Sequence, residues 1–356
     1  MDSLLPISAP VTGLVFGPLD EFVRDPDVSD IAVTGDGTVW VDAGHGMRER
    51  QTRLRFRSPR ILREFAVQLC SQFGQRLDDS RPIADVSTPE GIRINAVIEP
   101  LVAQGASISI RFPNRQQPDL EQLARMGMMP AVWLRTMKAL VRRKASILVT
   151  GATATGKTTL LRALLAQCQP DERIITVEET RELGVLGRAN HVSLVTRSAN
   201  LEGAGEIDLE SLIRATLRMR PDRVVLGECR GAEIVHLLRA LNSGHRGGMA
   251  TMHADGVARV PARLLSLGLL AGIDAQALGL LADGAFDVLV HLRTVDGVRR
   301  ISHMGCLRRH RDGALLGEVL SVWKGGESVI GGAPWCRFLE RWDPESAYGT
   351  GKGGRP

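Results

Sequence analysis

The run Ser146-Ile-Leu-Val-Thr-Gly-Ala-Thr-Ala-Thr-Gly-Lys-Thr-Thr-Leu-Leu161 constrains the rest of the chain more than any other stretch. A short apolar, β-branched segment enters a loop of small residues and leaves it as a helix-like run. That is the context a phosphate-binding loop requires. The pattern G-x-x-x-x-G-K-[ST] falls on Gly151, Gly156, Lys157 and Thr158, with Ala152, Thr153, Ala154 and Thr155 between the glycines and Thr159 following. Small side chains unmask successive backbone N–H groups, which can wrap a phosphate at a helix N-terminus. The Lys157 ammonium is then suited to the β/γ-phosphate oxygens of ATP and the Thr158 hydroxyl to Mg²⁺. The bland alternative is a glycine turn followed by a surface lysine; the strand before the loop and the helix after it argue against that.

A chain of 356 residues has room for two ordinary domains, and 44% hydrophobic against 24% charged residues is a globular composition. Met1 to Asp20 shows no basic segment followed by an apolar one, and no apolar run approaches the roughly 18 residues that span a bilayer. A cytoplasmic protein without an integral membrane segment is expected. Cys70, Cys168, Cys229, Cys306 and Cys336 are scattered and form no C-x-x-C pair, so neither a disulfide framework nor a cysteine zinc site is indicated. The net charge of +5 is mild. Its short clusters, Arg142-Arg-Lys144 and Arg308-Arg-His-Arg311, lack interleaved aromatics and read as solvated faces or subunit contacts. A nucleic-acid partner is not expected.

Residues 1–112 read as a small α+β domain. Asp30–Thr34 and Thr38–Val41 are β-rich and joined by Gly35-Asp-Gly37, a hairpin signal. Pro59–Phe73 spaces Ile61, Leu62, Phe65, Leu69 and Phe73 as an amphipathic helix. Gly91–Val97 and Ala106–Phe112 alternate apolar with polar residues, which sets Arg93 and Arg111 on the face away from the core. On that ground alone both are solvent residues. Residues 113–129 are expected to be a linker, with Pro113 to Pro118 its hinge.

From 130 to 325 strand-like and helix-like segments alternate, as in Arg173–Val177, Leu209–Met219, Arg223–Gly227 and Ala232–Leu241. This predicts a largely parallel sheet with helices packed on it. Phe286–Leu292 and Val298–Ser302 flank Asp296-Gly297, a hairpin turn, and Leu315–Trp323 adds another strand at the sheet edge. Residues 326–356 are rich in glycine and charge and are expected to form a flexible tail, disordered from Gly349 to Pro356.

Glu178 and Glu179 follow one predicted strand and Glu228 another, at the carboxyl ends where open α/β sheets place ligands. There they are candidates for directing Mg²⁺ and orienting water. His245 and His253 lie eight residues apart, an uncommon metal-ligand spacing with no third ligand nearby. They are either phosphate-sensing imidazoles or packed histidines, and spacing leaves that open.

Together these blocks resemble the secretion ATPases of type II and type IV secretion and of type IV pili, most closely the CpaF-like motors of tight-adherence (Flp) pili. The blocks are the Walker A loop Gly151–Thr159, the acidic box Thr176-Val-Glu-Glu-Thr-Arg-Glu-Leu183, a Walker B-like box within Leu212–Arg230, and a histidine box ending Thr251-Met-His253. Arg24–Ile31, Gly91–Asn95 and Ser109–Arg111 also look like the family's N-terminal domain.

The resemblance implies an α/β architecture: a RecA-like P-loop NTPase domain preceded by a smaller α+β, PAS-like domain, with ATP and Mg²⁺ as ligands. It implies a homohexamer with nucleotide held between the two domains, acting on an inner-membrane platform protein from the cytoplasmic face. Glu178 would polarise the attacking water, Glu228 would position Mg²⁺ together with Thr158, and Lys157, Arg93 and Arg111 would contact phosphates. His245 and His253 would sense the γ-phosphate, and Arg218 and Arg230 match basic positions of less defined role. Three departures stand out. Ala152 replaces a usual glycine, the four-cysteine zinc module of the type II branch is absent, and no long leading extension precedes the N-terminal domain, so partner docking is expected to differ. The alternative readings are a nucleic-acid-stimulated RecA-like translocase or a conjugation-type DNA-transfer ATPase; a third is a switch that responds to ATP binding.

Overall fold

The computed structural model describes residues 15–349 other than 89, 114–116, 185, 188, 198, 200–203 and 327. It separates into two units, Met1–Gln116 and Gln117–Pro356. The centre of the expected hinge, at 114–116, and most of the terminal stretch Gly349–Pro356 lie outside the described residues.

In the first unit a short helix α1 (Asp20–Val23) precedes three strands, β1 (Asp30–Val33), β2 (Val39–Asp42) and β3 (Arg48–Arg50). Helix α2 (Pro59–Ser71) follows, then β4 (Ile83–Ser87), β5 (Arg93–Ile98) and β6 (Ala106–Arg111). All six strands join one antiparallel sheet in the order β3-β2-β1-β6-β5-β4. Ser58 caps α2 by accepting from the Ile61 N–H, and the helix buries Leu62, Ala66, Leu69 and Cys70 among the inward residues of the sheet. Ile94, Ala96 and Ile98 of β5 and Ile108 and Ile110 of β6 face that core, so the alternating pattern settles the register as predicted.

The second unit opens with α3 (Leu120–Arg125) and α4 (Ala131–Arg142), then β7 (Ile147–Gly151), α5 (Lys157–Ala166), β8 (Ile174–Glu178) and β9 (His191–Val195). There follow α6 (Leu209–Thr216), β10 (Arg223–Cys229), α7 (Glu233–Asn242), β11 (Met249–Met252), α8 (Val260–Leu270) and α9 (Ala275–Ala282). Strands β12 (Val288–Val295), β13 (Val298–Arg309), β14 (Leu315–Val322) and β15 (Ile330–Gly331), then helices α10 (Ala333–Trp342) and α11 (Pro344–Gly349), complete it. The nine-stranded sheet has the order β15-β14-β13-β12-β7-β11-β10-β8-β9, with β12 through β9 parallel and β13 to β15 antiparallel at the edge. Every residue of β7, β8 and β11 is buried, as expected of strands covered by helices on both faces.

Two expectations need correction. The presumed linker contains α3, which carries a capping box at Asp119 and Gln122 and buries Leu120 and Leu123 in the second unit's core. The presumed flexible tail contains α10, whose Trp335, Phe338, Leu339 and Trp342 are buried in the same core. Glycine at 325, 326, 331 and 332 and the charges of 337–341 suggested disorder. The i, i+3, i+4, i+7 spacing of those four apolar residues is nonetheless a helical stripe, and burying it outweighs the composition.

Candidate functional site

Strand β7 delivers its loop to the carboxyl edge of the parallel sheet, and three backbone details shape that loop. A Cβ on Gly151 would lie 2.7 Å from both Leu292 O and Thr155 Oγ1, so the position excludes side chains. Ala154 adopts φ 61° and Gly156 φ 94°, turning the chain through left-handed conformations; for Ala154 that costs about 1 kcal/mol. Helix α5 then starts with no side chain capping its first turn, which leaves its N–H groups directed to an anion. Lys157 is buried and its Nζ donates to Gly151 O (3.1 Å) and Ala152 O (3.0 Å). Burial lowers its pKa.

One neighbour of β7 is β11, a strand of four residues, Met-Ala-Thr-Met, too short to show in the sequence pattern. It is followed by His253, whose Nδ1 stands 3.5 Å from Lys157 Nζ. His253 Nε2 lies 2.6 Å from Glu228 Oε1, off hydrogen-bond alignment. Burial, then the Lys157 charge, lower the His253 pKa. Glu228 belongs to β10, one strand further out, and its Oε2 accepts from Arg230 Nε (2.8 Å) and a second guanidinium nitrogen (2.5 Å). The third arm of the same guanidinium binds Glu179 Oε2 at 2.7 Å.

Glu178 ends β8 and is 3% exposed. Its Oε1 accepts from the backbone N–H of Glu182 (3.0 Å) and Leu183 (2.9 Å), while Oε2 is buried without a hydrogen-bond partner. Burial raises its pKa to about 7 against the pull of those two N–H groups. A carboxyl held by one oxygen, with the other buried and without a hydrogen-bond partner and a pKa near neutrality, has the properties of a general base. The sequence left Glu178 and Glu179 side by side; burial separates them, because Glu179 is exposed and ion-paired.

Glu182 was not singled out from sequence, although it lies four residues after Glu178 in the acidic box. Its Oε2 accepts from the Thr158 hydroxyl at 3.2 Å. His245, by contrast, does not join the site. It precedes β11, whose Met249 pairs with Ile147 at the amino end of β7, so strand β11 carries the two histidines to opposite ends of the sheet. Arg218 follows α6, on the connection to β10. In the first unit, Arg93 and Arg111 are direct cross-strand partners, and Arg111 Nε donates to Asp30 Oδ1 at 2.8 Å.

The residues fit a magnesium nucleotide. Among the described residues no His, Cys, Asp and Glu cluster could hold a metal by itself. The Thr158 hydroxyl with the Glu182 carboxylate 3.2 Å away, and Glu228 at the end of β10, is instead the sparse protein contribution that Mg²⁺ takes when substrate phosphates and water complete its shell. The glycine-shaped loop and the uncapped α5 suit the phosphates.

Parallel strands with a phosphate loop, and a second acidic strand separated from the loop strand by β11, define a RecA-like P-loop ATPase domain; the Legionella pneumophila ATPase DotB (18% identity, 93% of this chain and 84% of that one, TM-score 0.56) has this fold. So does the pilus retraction motor PilT (17% identity, 80% of each chain, TM-score 0.58). Residues 15–294 match the family described as type II/IV secretion system protein, and the chain belongs to that superfamily of secretion ATPases. A putative conjugal transfer protein of Mycobacterium tuberculosis is 40% identical over 86% of this chain and 88% of its own length. The type IV secretion system protein VirB11 of Bartonella henselae is 30% identical over 67% and 75%. Among the described residues no single helix is long and apolar enough to cross a membrane.

Proposed function

We propose that this chain is an ATP-hydrolysing motor that works as a homohexamer on the cytoplasmic face of the inner membrane, where it drives a platform protein of a pilus or secretion machine. The observation that carries hydrolysis, beyond nucleotide binding, is Glu178. Its Oε1 is fixed by two backbone N–H groups and its Oε2 is buried and unpaired.

In this reading the phosphate loop and α5 bind and orient the triphosphate. Lys157 exchanges its contacts with Gly151 O and Ala152 O for phosphate oxygens. Glu178 takes the proton from the attacking water, and His253, set between Lys157 and Glu228, registers whether the terminal phosphate is present. Thr158 and Glu228, with Glu182 hydrogen-bonded to Thr158, would hold Mg²⁺. When bound, it neutralises phosphate charge and polarises the phosphoryl group being transferred. Arg93 and Arg111 are assigned contact with phosphates, as the resemblance implies. Glu178→Gln keeps the shape and removes the base. Fluorescent-nucleotide binding is expected to persist while phosphate release falls about 10²–10⁴-fold; turnover at the parental rate would reject the assignment.

The Flp-pilus reading rests on the motif resemblance. A conjugation-type DNA-transfer motor is favoured instead by the similarity to the M. tuberculosis putative conjugal transfer protein. Stimulation of turnover by single-stranded DNA, declining steeply with salt, would select the second reading.

A further inference from the structure

Between Arg48 and Arg63 the first unit carries seven arginines against one acid, Glu49. The run starts on β3, the edge strand of the sheet, and continues through the loop into α2. Three of these arginines are neutralised: Arg53 by Glu21 (3.5 Å), Arg60 by Glu64 (3.0 Å) and Arg63 by Asp79 (2.6 Å). Arg48, Arg50, Arg55 and Arg57 are exposed, and among the described residues none of them meets a carboxylate; Arg55 donates only to Gln51 Oε1 at 2.9 Å.

Large apolar side chains stand exposed in the same stretch. Leu54, between Arg53 and Arg55, is 66% exposed, and Met47, next to Arg48, is 46% exposed.

Charge on an edge strand has an ordinary purpose, which is to block pairing with another sheet. Arg48 and Arg50 suffice for that. It does not account for the unpaired arginines continuing past the strand to Arg57, or for a leucine held in water among them. Guanidinium groups interspersed with exposed aliphatic side chains are the composition of a surface that meets anionic headgroups and enters the layer beneath them.

Single-stranded nucleic acid fits less well, because it needs aromatic faces for its bases. The one aromatic in the run, Phe56, is buried against Phe65 with ring centroids 5.2 Å apart. The nearby Trp40 is half-exposed on β2 and offers a single ring, not the series of aromatic faces that successive bases need.

We propose that the β3 edge and the loop after it form a docking face for an anionic bilayer, with Arg48, Arg50, Arg55 and Arg57 on lipid phosphates and Leu54 in the headgroup layer. The face gives a location to the peripheral membrane association proposed above and does not depend on hydrolysis.

The test is flotation of the full chain with vesicles of phosphatidylglycerol and phosphatidylcholine in equal parts, against phosphatidylcholine alone. The parent and Glu178→Gln are expected to float with the anionic vesicles only, so a failure of the catalytic reading leaves this result untouched. Each arginine contributes roughly fivefold to partition. The quadruple variant R48Q/R50Q/R55Q/R57Q should therefore lose over about a hundredfold in vesicle affinity while keeping its solution ATPase rate and thermal midpoint. Leu54→Ser should weaken binding by several-fold, most visibly at raised salt. Flotation of the quadruple variant like the parent, or absence of parent binding to anionic vesicles, overturns the proposal. So does tighter binding of single-stranded DNA than of vesicles that disappears in the quadruple variant.

Discussion

Gly227→Ala tests whether the placement of Glu178 controls turnover without touching any charged group. Gly227 lies within β10, and a Cβ built on it would stand 2.7 Å from Glu178 Cγ and 3.1 Å from Oε1. Ordinary contact begins near 3.4 Å, so the side chain must yield by about 0.7 Å. Its Oε1 also accepts from the N–H groups of Glu182 and Leu183 at 3.0 and 2.9 Å, and a displacement of that size spoils the length or angle of both bonds. Overpacking and the lost bonds together are expected to cost about 1–3 kcal/mol. For a domain of this size that is a fall of roughly 3–10 °C in thermal midpoint. A base moved by about 1 Å costs on the order of 10²-fold in rate. Phosphate-release kinetics, nucleotide affinity and thermal unfolding should be measured on one preparation. The expected result is a large loss of kcat, a modest loss of stability and unchanged nucleotide affinity. A destabilised variant that turns over at the parental rate would refute the role of Glu178; a variant altered in neither respect would refute the packing argument.

Three further outcomes are expected. Because Glu178 is raised from its ordinary value of 4.5 to about 7, the folded protein holds that proton more tightly than the unfolded chain. Its contribution to stability is therefore present at low pH, declines as pH rises through that window and levels off above it. Glu178→Gln should thus gain on the parent in unfolding free energy as pH rises from about 4.5 to 7, by up to about 3 kcal/mol, and a constant difference across that range in denaturant unfolding would contradict the burial argument. Lys157→Ala should abolish nucleotide binding as well as turnover, and retained affinity in a fluorescent-nucleotide titration would count against the phosphate loop. Trp335→Ala removes a buried ring stacked on Phe338 at 5.3 Å and should cost about 3–5 kcal/mol in denaturant unfolding, whereas a flexible tail would show no change.

The phosphate loop, the alternating strands around Arg93 and Arg111 and the hairpin at Asp296-Gly297 were legible because each is encoded by neighbours in the chain. What the sequence did not show is mostly long-range. Met249–Met252 has four buried residues and no polar alternation, so β11 was invisible, and with it the insertion of one strand between β7 and β10 that sets His253 against Lys157. The same strand explains His245: similarity in sequence grouped two histidines that the sheet holds at its opposite ends. Glu182 could have been found, since an acid four residues beyond a strand-ending glutamate can fold back toward the same edge. Its partnership with Thr158 needed coordinates. The helix at 333–342 is encoded in its stripe of tryptophan, phenylalanine and leucine, which the surrounding glycine and charge mask in composition.

That terminal helix bears on how the chain is made. Thr136 of α4 donates a hydrogen bond to Asp343 Oδ2, 207 residues later, in a buried seam where Trp133 also meets Trp323 edge-on at 6.3 Å. The wall of the core behind the phosphate loop is thus assembled from the beginning and the end of the unit. At about 5–20 residues per second, a ribosome that has just released α4 takes on the order of 10–40 s to supply the residues that cover it. Throughout that interval Trp133 and Met137 lack their final neighbours, so this wall of the core closes only after the residues around 323–343 have been made.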